Sequence, residues 1–181
     1  MPEKSNFTPD EWKLLLESVM AAGIARAGKA GIYRRWPTMA ALARYAVSRF
    51  TLVSAPEDTG SLRGDLEALL SRWTLPLDLE ERATASLVGA ARHNEELREG
   101  LDTALVQPLA AAVAQIGEHS AARGEPVEAA RLSLLGSVLE AFWWQRYTAA
   151  GDGAMSPEQV SRMIDDVLLP VVLPDGERVP A

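Results

Sequence analysis

The sequence predicts an all-α protein. Three observations lead there. Alanine and leucine dominate and β-branched runs are scarce. Apolar residues recur every three to four positions through long stretches, the period of a half-buried helix. Two stretches, Thr8-Pro9-Asp10-Glu11 and Ser156-Pro157-Glu158-Gln159, have the layout of a capping box with proline in the first turn.

Taken in order, the first helix opens at Thr8 and carries Trp12, Leu15, Leu16, Val19, Met20 and Ile24 on one face, with Gly23 and Gly28 weakening its end. A short helix over residues 29–36 is ended by Pro37, which lacks a donor and restricts the residue before it. Thr38 can cap the next helix, whose apolar positions include Leu42, Tyr45, Ala46 and Phe50. Residues 53–60 read as a loop. Helices are expected over residues 61–73 and 79–92, the latter capped by Asp78. Residues 93–100 read as a short polar helix or turn. A long helix follows over 101–123, kinked at Pro108, and another over 127–149. The second capping box opens a last helix to about residue 169, and residues 174–181 are expected to be disordered.

The chain has 181 residues, 48% apolar and 24% charged, the composition of an ordinary soluble globular protein. It has no cysteine, which excludes disulfides, thiolate metal sites and thiol catalysis, and fits a cytoplasmic location. No apolar run is long enough to cross a bilayer, and the N-terminus lacks the layout of a secretion signal, so no membrane partner is expected. The net charge of −7 is unevenly spread. Residues 1–50 carry eight Lys/Arg against four Asp/Glu, and residues 51–181 carry ten against twenty-one. No acid lies between Glu17 and Glu57, while Arg26, Lys29, Arg34, Arg35, Arg44 and Arg49 do. The pattern is that of a polyanion-facing end on an acidic body, or of a solvated basic helix face.

Catalysis is not expected. The two histidines, His93 and His119, belong to no recognised metal or nucleophile motif. The acidic pairs Glu80-Glu81, Glu95-Glu96 and Asp165-Asp166 are adjacent, and adjacent residues point about 100° apart on a helix. No cofactor and no metal are expected.

Near the C-terminus, Leu132, Leu135, Val138, Leu139, Phe142, Trp143 and Tyr147 wrap more than one face of their helix, and Val160, Met163, Ile164, Val167 and Leu168 do the same on the last one. A helix apolar on two sides buries both. Either the monomer core is deep, or a second copy covers the second face in a four-helix dimer interface built from Leu135, Leu139, Trp144, Val160, Met163, Ile164 and Val167.

The stretch RAGKAGIYRRWPTMAALARYAV resembles the end of the DNA-binding domain of TetR/AcrR-type transcriptional regulators, with Lys29, Tyr33, Arg34, Trp36 and Leu42 in the family's positions. DTGSLRGDLEALL, residues 58–70, is similar to the start of the family's regulatory domain, and residues 134–172 to its last two helices. The resemblance implies a shortened helix-turn-helix domain over residues 1–52 and a ligand-binding, dimerising domain over 53–173. It implies double-stranded operator DNA, a homodimeric partner and a small hydrophobic or aromatic effector. DNA contacts would come from Lys29, Ala30, Gly31, Tyr33, Arg34, Arg35 and Thr38. The effector would be lined by Trp73, Leu87, His93, Leu105, Leu109, Val113, Phe142, Trp143 and Tyr147.

The head departs from the family pattern in three ways. Gly28 runs straight into Lys29, Met39 stands where the family has a lysine, and about ten residues are missing ahead of Tyr33. Two functional readings therefore stand side by side: a repressor with a compressed head, or a dimeric ligand-sensing or partner-binding protein that has lost DNA binding.

Overall fold

A computed structural model describes Trp36 and residues 38–173. Among the described residues there is helix and no strand. The helices are α1 (Met39–Val47), α2 (Leu62–Leu70), α3 (Leu79–Ala91), α4 (Glu95–Leu101), α5 (Gln107–Ala122), α6 (Ala129–Thr148), α7 (Pro157–Met163) and α8 (Leu169–Val172). A 3-10 turn, Ser71–Thr74, follows α2, and π-helical turns follow α4 (Asp102–Val106) and α7 (Ile164–Leu168).

Local chemistry sets most boundaries. The Thr38 hydroxyl accepts from the Ala41 amide at 3.0 Å and starts α1. Ser61 does the same for α2 and Asn94 for α4. Asp78 with Glu81, and Ser156 with Gln159, form complete capping boxes at α3 and α7. Gly124, at φ +85, lets the chain turn out of α5 through a left-handed conformation, while the Glu125 amide reaches back to the Ser120 carbonyl.

Two boundaries differ from expectation. The helix begins at Glu95 rather than 101, because Asn94 is an effective cap and the chain stays helical through Gly100. The proline at 108 follows a π-helical turn, and the same arrangement recurs at Pro170: each wide turn ends two residues before the proline. A proline ring collides with the carbonyl four residues back and offers that carbonyl no donor. The wide turn makes room for the ring, so the helix passes the proline instead of ending.

The chain divides into two compact units. The first comprises Met1–Leu52 with Leu77–Val106, and its described helices are α1, α3 and α4. Its core holds Leu42, Ala43, Ala46, Phe50, Leu87, Leu97, Leu101 and Leu105. α1 crosses α4 closely at Gly100, where a Cβ would stand 3.0 Å from the Arg44 Cα.

The second unit comprises Val53–Pro76 with Gln107–Ala181. Its core joins Leu66, Leu70 and Trp73 to Leu109, Val113 and Ile116 of α5, to Leu135, Leu139 and Trp143 of α6, and to Val160, Ile164 and Leu168. The Trp73 and Trp143 rings meet edge to face, with centroids 4.8 Å apart.

Candidate functional site

Of the residues expected to touch DNA, Lys29, Ala30, Gly31, Tyr33, Arg34 and Arg35 lie outside the described residues, as does the tail from 174. Thr38 is described and exposed at the start of α1. Its hydroxyl accepts from the Ala41 amide and donates to Glu96 Oε2 at 3.3 Å. One and a half turns on, Arg44 pairs with Glu99 at 3.2 Å. The Trp36 ring packs on Tyr45, centroids 5.0 Å apart.

The expected effector residues fall in both units. In the first, Leu87 and Leu105 are core residues and His93 is exposed beyond the end of α3. In the second, Trp73, Leu109, Val113, Trp143 and Tyr147 are buried and Phe142 is half-buried. Of these, Trp73 and Phe142 line a groove of about 460 Å³ in the second unit. Its other walls are the end of α6 (Gln145, Arg146), the loop 149–155, and Met163 and Val167.

Arg146 builds this groove. It is 5% exposed on an otherwise apolar helix face. Its guanidinium donates to the carbonyls of Trp73, Leu75 and Gly153, and stands 5.9 Å from the Trp73 ring centre. The Met155 amide also donates to the Trp73 carbonyl. The end of the 3-10 turn, the Gly-rich loop and α6 are thereby tied to one side chain. A lone arginine inside the run FWWQRY was the available signal for it in the sequence.

The residues expected at a dimer interface also split. Leu135, Leu139, Val160, Met163 and Ile164 are buried within their own unit. Trp144 is half-buried and donates to Glu140 at 3.0 Å. Val167 is 37% exposed, and Leu134, absent from the expected set, is 52% exposed. Leu134, Val138 and Phe142 form the i, i+4, i+8 stripe that α6 leaves outside its own core.

A polar cluster ties the loop before α2 to the end of α5. Asp65 is fully buried. One of its oxygens accepts from the Thr59 amide at 2.8 Å and hydroxyl at 2.7 Å, and the other from Arg123 at 2.9 Å. Arg123 also pairs with Asp58, whose carboxylate accepts from the Gly60 amide at 2.9 Å. Burial, the largest single influence, pushes the Asp65 carboxyl up. The two Thr59 donors and Arg123 together outweigh it and leave the group below the usual carboxylate range. The Gly60 amide, then Arg123, holds the exposed Asp58 carboxyl below the usual carboxylate range. Asp58, Asp65 and His119 bring ligand atoms within 4.8 Å of one another. The cation between the two carboxylates is the protein's own guanidinium, so the cluster reads as a structural pin. On the neighbouring face, Arg63 grips Asp165 with two donors, at 2.8 and 3.1 Å, and lowers its carboxyl.

No described helix is long and apolar enough to cross a membrane. Residues 56–167 match the family model described as Tetracyclin repressor-like, C-terminal domain. The chain is 30% identical over 156 residues to the DNA-binding transcriptional repressor TetR of Mycobacteroides abscessus, covering 84% of this chain and 81% of that one. It is 28% identical over 159 residues to uncharacterized HTH-type transcriptional regulators of Mycobacterium bovis and Mycobacterium tuberculosis, covering 87% of this chain and 77% of theirs. No solved structure matches it. A family-model match over more than half of the chain, all of it helix and connecting loop, is decisive: the chain belongs to the TetR family of transcriptional regulators.

Proposed function

We propose that this regulator is a cytoplasmic homodimeric repressor that holds operator DNA with its N-terminal head and releases it when a small hydrophobic effector binds the regulatory unit. One observation carries the reading. The similarity to the M. abscessus repressor covers 84% of the chain, about 152 residues, whereas only 129 residues follow Leu52. The alignment therefore reaches into the basic head. The acid-free stretch between Glu17 and Glu57 agrees with a phosphate-facing surface.

The groove in the second unit beside Trp73, Phe142, Met155 and Met163 supports the effector part of the reading, since it has the size and apolar character of a small-molecule site. The surface proposed for pairing is the part of the α6 stripe that stays clear of that groove, Leu134 and Val138. The expected consequence is a contrast. Leu134→Asp keeps the fold and weakens pairing in sedimentation, while Leu139→Asp, placed in the core, unfolds the chain.

The deciding experiment is a mobility shift on duplexes from the regulator's own upstream region. Retardation at low salt that weakens steeply as salt rises is expected, with release by apolar ligands. Failure to retard any duplex leaves the second reading, a dimeric ligand-sensing or partner-binding protein without DNA binding.

A further inference from the structure

Glu96 sits at the start of α1. Its carboxylate accepts the Thr38 hydroxyl proton at 3.3 Å, while the same hydroxyl accepts from the Ala41 amide. Both hydrogen-bonding roles of Thr38 are thus in use. Glu96 is also in the first turn of α4, capped by Asn94, a position that favours a carboxylate. The close α1–α4 crossing at Gly100 keeps it there. A phosphate oxygen approaching Thr38 at the start of α1 finds the hydroxyl donor already held by Glu96, and meets its negative charge.

We propose that Glu96 is an anionic placeholder at the start of α1 that lowers affinity for DNA by competing with a backbone phosphate for Thr38. The inference rests on the reading that this head binds DNA. Glu99 supplies an internal comparison. It is on the same helix, carries the same charge and is exposed, but its partner is Arg44, further along α1.

The test compares the full chain with Glu96→Gln, Glu99→Gln and Thr38→Val, and with the Glu96→Gln, Thr38→Val double variant. Each is titrated on one fluorescent duplex at low salt, with thermal melts as the check on folding. Glu96→Gln should tighten binding about fivefold, and Glu99→Gln less than about twofold, since Glu99 holds Arg44 and not the Thr38 hydroxyl. The gain from Glu96→Gln should shrink when Thr38 is valine, because the hydroxyl is what the two anions contest. Equal gains from both glutamines would mean that only net charge matters and would overturn the proposal. So would a gain from Glu96→Gln that is undiminished beside valine. Wild-type binding with no gain from Glu96→Gln removes this inference alone. No binding by any variant removes the repressor reading and this inference with it.

Discussion

Gly100 and Gly89 form a matched pair for testing the close crossing of α1 and α4. Both are helical and both belong to the first unit. A Cβ at Gly89 meets nothing within 4 Å. Gly89→Ala should therefore gain most of the helix-propensity difference, about 0.5–1 kcal/mol. A Cβ at Gly100 would stand 3.0 Å from the Arg44 Cα, 3.2 Å from its Cγ and 3.4 Å from its carbonyl oxygen. Carbon atoms rest near 3.5–4.0 Å apart, so the helices must separate by roughly half an ångström at a crossing where the opposing atom is backbone. Overpacking of this kind costs about 1–3 kcal/mol and more than cancels the propensity gain. The two alanine variants should differ by about 2 kcal/mol, or roughly 4–8 °C in Tm at this chain length. Thermal melts followed by circular dichroism measure the difference. A Gly100→Ala protein as stable as Gly89→Ala would refute the close approach and, with it, the means by which Glu96 is held beside Thr38.

Other consequences follow from the second unit. Asp65→Ala leaves the Thr59 donors and Arg123 without their buried acceptor, and should cost about 2–4 kcal/mol in denaturant unfolding. Arg146→Leu strips the carbonyls of Trp73, Leu75 and Gly153 of a donor, and should cost a similar amount, about 2–4 kcal/mol, and open the groove to an apolar fluorescent probe. The folded values of Asp58, Asp65 and Asp165 are lowered, so the unfolded chain binds more protons. Their contribution is complete above the ordinary carboxylate range and is lost as pH falls through the lowered folded values, below about pH 4. Stability measured from pH 7 downward should fall there, and a flat profile would contradict the pin.

The parts legible in the sequence are those whose chemistry is local. Thr38, Asp78 and Ser156 were readable as caps because a cap and its amide partner lie three residues apart. Pro108 was readable as a disturbance, but not as one that a π-helical turn absorbs, since that depends on whether packing keeps the helix going. The face that α6 buries was not legible at all. Leu134 and Leu135 are equally apolar, and the sequence pattern placed Leu135 at a dimer interface. Their different fates, 52% and 0% exposed, are decided by which side meets α5 and α8. Arg146 and Gly100 were missed for the same reason: two of the three carbonyls that Arg146 holds are 71 and 73 residues away, the partner of Gly100 is 56 away, and no periodicity encodes them.

The charge pattern of the chain takes on physical meaning in the first unit. Between Glu17 and Glu57 the sequence supplies no carboxylate, so the polar groups along α1 and its exit can meet an acid only from elsewhere in the chain. They do so from the segment Leu77–Val106 that folds with them: Glu96 holds Thr38, Glu99 holds Arg44, and Glu80 accepts from the Thr51 amide. These pairs are exposed, and an exposed pair is worth less than about 1 kcal/mol. They add little to the stability of the unit. They do offset, at the surface, part of the positive charge that residues 1–52 carry by themselves, where a polyanion would be felt. The head is therefore less basic in the fold than its own stretch of sequence implies. Two of the three acids that make it so lie on α4, one helical turn apart, and the closeness of α4 to α1 sets how strongly they are felt.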